Sequence, residues 1–72
     1  MASKSIHVVP AGDEWAVEES GRQLSTHRTK AEAEKFARDE AMRGHSEFVV
    51  HGSDGQIERK DSFGGDPRRI KG

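Results

Sequence analysis

Cysteine and tyrosine are absent, proline occurs twice, and one tryptophan and three phenylalanines are the only aromatic residues in 72. Without cysteine the chain has neither a disulfide staple nor a thiolate metal site. No run approaches 18 consecutive apolar residues, so no membrane-spanning helix is predicted. The opening MASKSIHVVP lacks the apolar stretch of a signal peptide. A cytoplasmic protein is the expectation. An excess of one charge is also missing: 12 Lys and Arg stand against 13 Asp and Glu, for a net charge of −1. That balance gives no electrostatic case for nucleic acid as the main partner. The chain is short as well. A domain this small buries only about 60% of its unfolded surface, and one core rarely supplies more than ~3–5 kcal/mol. Self-association is the common remaining route to further burial.

What is present is periodicity. Ile6 to Pro10 alternate as a first strand, with Ile6 and Val8 on one side and His7 and Val9 on the other. Ala11-Gly12-Asp13-Glu14 supplies a turn. Trp15 to Glu19 form a second strand with Trp15 and Val17 inward, and Ser20-Gly21-Arg22 turns the chain again. Gln23 to His27 form a weaker third strand with Leu24 inward. Thr29-Lys30-Ala31-Glu32 matches the capping box that opens a helix. The helix is predicted to run to Arg43 and to stop at a left-handed Gly44. Its apolar stripe is Ala33, Phe36, Ala37 and Ala41, with Met42 at the border and Phe36 as the main anchor. Glu34–Arg38 and Asp39–Arg43 are expected pairs on the wet face.

SEFVVHGSDGQIER at 46–59 reads as two alternating strands around Asp54-Gly55, a hairpin signal because those residues tolerate positive φ. Phe48 and Val50, and Ile57 beyond the turn, are predicted to face the helix. The fold class is therefore α+β: a single two-layer domain over residues 1–72, ordered β-β-β-α-β-β. An antiparallel sheet of four to five strands carries one α-helix packed on one face. Residues 1–5 and 64–72 are read as loose tails. The first and fourth strands, being the most apolar, are the candidates for the centre.

Chemistry-bearing patterns are sparse. The four histidines, His7, His27, His45 and His51, show no metal-ligand spacing, and no catalytic residue, metal or cofactor is predicted. Alternation does place His7, Val9, Val49 and His51 together on the face opposite the core. If the first and fourth strands are neighbours, that face holds an apolar pair bordered by two titratable rings, a candidate interface. A second reading uses cations: Arg68, Arg69 and Lys71 in the tail, with Arg22 and Lys60, as candidate phosphate contacts.

Several landmarks occur in order: HVVP at 7–10, WAV at 15–17, TKAEAEKFARDEA at 29–41, VVHGSDGQI at 49–57, and the ending DSFGGDPRRIKG. Together the set resembles a family of small bacterial proteins catalogued as a domain of unknown function (number 2188). The resemblance covers nearly the whole chain and implies a compact α+β domain with no assigned activity, cofactor or catalytic residue. Phe63 stands where that family usually has tyrosine. Arg68-Arg69 intervene where its tail is often proline-rich. Phe63 is a candidate plug that folds the tail back onto the sheet. The functional expectation is a non-enzymatic interaction module, binding itself or another protein through the outer sheet face or a sheet edge. The alternative is a weak nucleic-acid-binding accessory protein that uses the basic tail.

Overall fold

Three short connections set the register of the sheet. In the computed structural model, which describes residues 4–63, β1 (Ser5–Ala11) and β2 (Glu14–Glu19) are joined by a turn in which Gly12 takes φ +66°. Ser20 and Gly21, with φ of 54° and 79°, link β2 to β3 (Arg22–His27). Two consecutive positive φ values make a hairpin turn whose twist matches the flanking strands. A loop then joins β4 (Glu47–His51) to β5 (Ile57–Ser62). Within it Gly55 has φ +88°, and the Asp54 carboxylate accepts from the Gln56 N–H at 3.0 Å.

Between β3 and β4 lies α1 (Lys30–Gly44). Its first turn is capped as predicted by Thr29, whose hydroxyl accepts from the Glu32 N–H at 3.2 Å. Its last turn differs from expectation. Gly44 stays helical, and His45 takes the left-handed position at φ 53°, ψ 48°. The Ser46 N–H reaches the Ala41 carbonyl at 2.8 Å, which closes a Schellman-type stop one residue later. Histidine is among the residues that tolerate this region.

The sheet order is β3-β2-β1-β4-β5. Three of its four ladders are antiparallel, and β1–β4 is parallel. Counting reversals explains the exception to the antiparallel expectation. β3 runs with β1, the helix carries the chain back to the end where both begin, and β4 must start there. Fifteen helical residues span about 22 Å, enough for that return. The first strand is thus central, with the fourth beside it. Pro10 lies beyond the last β1–β4 pair, Val8 with Val50, where its missing N–H costs that ladder nothing.

The core lies between sheet and helix. Ile6, Val8, Val17, Phe48 and Val50 meet Ala33, Ala37 and Ala41, all buried. The alanines bring the helix axis close to the sheet. Phe48, not Phe36, is the largest fully buried side chain; Phe36 is half-buried at the border beside His27, and Met42 is exposed. Trp15 and Leu24 pack at the edge as expected. Leu24 does so because β3 bulges opposite Val17, where the register jumps from Gln23 to Ser25. Phe63 packs against the core with its ring 6.4 Å from Phe48, and its N–H bonds to the Ser46 carbonyl at 3.0 Å. The core contact read for Phe63 is present, while the tail it was to fold back is not described. The tail beyond it, 64–72, and residues 1–3 lie outside the described residues.

Two further expectations are corrected. Ile57 does not face the helix. β5 bulges so that Val50 opposes Arg59 while His51 opposes Ile57, leaving Glu58 as the extra residue. Such a bulge flips whatever precedes it to the other face. Ile57 is 59% exposed, and Glu58 lies instead over Gly52 and pairs with Lys30. Asp39–Arg43 forms at 3.0 Å, but Glu34 pairs with Arg59 of β5 at 3.4 Å rather than with Arg38. Arg38 lies over the Phe63 ring.

Candidate functional site

No helix covers the outer face of the sheet. Strand alternation and the parallel β1–β4 ladder bring its residues into rows. Across one row the partners are Glu18, His7, Val49 and Lys60, from β2, β1, β4 and β5 in turn. One pleat further along, Val9 partners Ala16 and His51 partners Ile57. Val49 is 3% exposed and Ala16 1%, although the described residues place no second layer above them. Val9, His7 and His51 are half-buried.

The four predicted interface residues are therefore brought together, and two of them touch. His7 Nδ1 stands 2.9 Å from His51 Nε2. The ring centroids are 5.1 Å apart with an interplanar angle of 27°. A centroid distance that exceeds the nitrogen separation by about two ring radii describes rings meeting end to end, nearly coplanar, rather than stacked faces. His51 Nδ1 lies 3.0 Å from the Gly55 carbonyl, which can only accept. This assigns the proton on His51 to Nδ1. His51 Nε2 is then the acceptor, and His7 donates through Nδ1. The chain of donors ties the centre of the sheet to the β4–β5 loop.

The pair sits between opposing charges. Burial holds the His7 pKa below the ordinary 6.5, and His51 and Lys60 push it the same way, while Glu18 and Glu47 oppose them. One proton can be carried by the pair, because a His7 cation still donates through Nδ1. A second, on His51 Nε2, would set two donors face to face.

The candidate phosphate contacts are not brought together. Arg22 begins β3 and Lys60 lies in β5, the two opposite edges of the sheet. Lys60 also pairs with Glu47 at 3.9 Å. Arg68, Arg69 and Lys71 lie outside the described residues. Two open hollows occur elsewhere. One of about 370 Å³ lies along the helix beside Lys35, Phe36 and Met42, and one of about 310 Å³ lies by Lys4, Glu19 and Arg22. Among the described residues no three His, Cys, Asp or Glu side chains are grouped to hold a metal ion. Among them, too, no helix is long and apolar enough to cross a membrane.

Sequence reasoning missed four contributors to the outer face, of which Ala16 follows from alternation between Trp15 and Val17. Glu18 was available: Ala11 opposite Glu14 across the first turn implies His7 opposite Glu18. Lys60 and Ile57 depended on a bulge that nothing in the residue pattern marks.

Comparison with known proteins gives one finding. The profile of a family described as uncharacterized protein conserved in bacteria (DUF2188) matches residues 6–63. No curated protein matches the chain, and no solved structure does.

Proposed function

Since the chain belongs to this bacterial family, whose description assigns no activity, we propose that it is a non-enzymatic interaction module that docks protein through the outer face of its sheet. The observation that carries the reading is the apolar group of Ala16, Val9, Val49 and Ile57, drawn from two adjoining rows of a face over which the described residues place no second layer, and crossed by the His7–His51 pair. Sheets present such a group either to a packed layer or to a partner. The charged residues Glu18 and Lys60 stand at the ends of the row that holds Val49, an arrangement of apolar centre and polar rim that suits an interface.

The sheet edges are the weaker docking sites. β5 carries Glu58, Arg59, Lys60 and Asp61 in succession and a bulge, both devices that discourage strand addition. β3 is bulged at Leu24.

The test is amide chemical-shift mapping of labelled protein, first from micromolar to millimolar concentration and then in extract from the native host. The expected result is perturbation centred on His7, Val9, Val49, His51 and Ile57, abolished in Ile57→Lys. Perturbation centred on the helix or on β3, or none under either condition, overturns the reading.

A further inference from the structure

The geometry points to a second copy of this chain as the occupant of the outer face, seated about a two-fold axis that runs along the seam between β1 and β4. This rests on the docking role proposed above and adds the partner and the symmetry. The sheet order places β1 and β4 half a strand spacing on either side of their seam, and β2 and β5 one and a half spacings away. Glu18 and Lys60 are therefore equidistant from the seam, each about 7 Å from it at a spacing of about 4.8 Å. They also lie at the same height, because the ladders join Glu18, His7, Val49 and Lys60 in one continuous row.

A half-turn about an axis along the seam exchanges the two sides and keeps the height. It sets Glu18 of one copy opposite Lys60 of the other, and His7 opposite Val49. In the row one pleat further, Ala16 meets Ile57 and Val9 meets His51. Each charge then faces its opposite, and each imidazole faces an aliphatic side chain. The other in-plane axis, across the strands, would set Glu18 against Glu18 and Lys60 against Lys60. The row thus selects between the two symmetries by charge alone. A two-fold contact is self-complementary in this way, with the same patch used on both sides.

The area is modest. About this axis β2 and β1 face β5 and β4 while β3 has no counterpart, so four strands about 4.8 Å apart and about six residues long make a face of roughly 19 by 20 Å, and two copies cover roughly 770 Å² in total. That is below the size of a stable interface and marks the contact as weak and transient. At such an interface rim charges decide between arrangements.

The experiment is a charge-swap mixing series read by sedimentation equilibrium. Glu18→Lys alone sets two ammonium groups against each other at both ends, and Lys60→Glu alone sets two carboxylates against each other. Each variant is expected to self-associate about tenfold more weakly than the parent chain. Mixed in equal amounts they restore both contacts. At one end the side chain introduced by Glu18→Lys meets the one introduced by Lys60→Glu, and at the other the unaltered Glu18 meets the unaltered Lys60. Recovery of parent-like affinity in the mixture, with native circular dichroism for both variants, supports the arrangement. If the parent associates and Ile57→Lys prevents it, but the mixture recovers nothing, the two-fold is wrong while the docking face stands. A parent chain that stays monomeric to millimolar concentration rules out the second copy as occupant and leaves the docking face to the host-extract mapping.

Discussion

The two faces of the sheet are built from similar apolar residues and meet opposite fates. On the inner face Ile6, Val8, Val17, Phe48 and Val50 are sealed by a helix whose contact stripe is three alanines. On the outer face Val9, Ala16, Val49 and Ile57 lie in two adjoining rows with no layer above them among the described residues, and Glu18 and Lys60 stand at the ends of the row that holds Val49. Burial alone does not separate the faces, since Val49 and Ala16 are as inaccessible as core residues. What separates them is what a substitution disturbs. An inner residue contacts another element of secondary structure, so its loss is felt as folding energy. An outer residue contacts neighbouring side chains of its own sheet, so its loss is felt at whatever docks there.

That contrast can be broken most strongly at Phe48. Phe48→Ala removes the largest fully buried ring and is expected to cost about 3–5 kcal/mol by urea unfolding. A much smaller loss would mean that the helix is not seated on the sheet. Ala37→Leu tests the same contact from the other side. An added side chain under a helix that fits only alanine is expected to cost about 1–3 kcal/mol.

Acidification probes the outer face without a substitution. Burial and the charge of His51 hold the His7 pKa below 6.5, so the unfolded chain binds its proton more readily than the folded one. The His7 contribution to stability is present in full above pH 6.5 and falls as the pH drops through that value toward the folded pKa. The urea midpoint is expected to decline between about pH 7 and about pH 5, and the part due to this group vanishes in His7→Gln. The smallest effect on folding is expected from Ile57→Lys, within about 0.5 kcal/mol at this exposed site. The same change abolishes association, and a large loss of stability there would erase the distinction between the faces.

Much of the architecture was legible because alternation and turn chemistry are local. Gly12, Ser20-Gly21 and Asp54-Gly55 mark their turns, Thr29 marks the helix start, and the in-out assignment of β1, β2 and β4 follows from period two. The pairing of His7 with His51 needed one further condition, that β1 and β4 be neighbours. The direction of that ladder was not legible, because it is fixed by the return path of the helix rather than by any residue within the strands. Both bulges were invisible for a related reason. Leu24 keeps its inward place and Ile57 loses it through a one-residue slip that arises from the pairing, not from the composition of either strand. The helix stop was displaced by one residue because the carbonyl of Ala41 captures the Ser46 N–H, a contact that the glycine at 44 does not announce.

The parallel seam also dictates an order of events during synthesis. The meander of β1, β2 and β3 leaves the ribosome first, with its apolar side bare and the far edge of its first strand unpaired. The helix that covers the apolar side follows β3 directly, but the strand that pairs the open edge arrives roughly forty residues after the one it joins. A nascent chain halted before residue 47 would therefore not be a smaller version of this domain. It would hold three strands and a helix, with one edge of β1 unpaired and a core that lacks Phe48 and Val50.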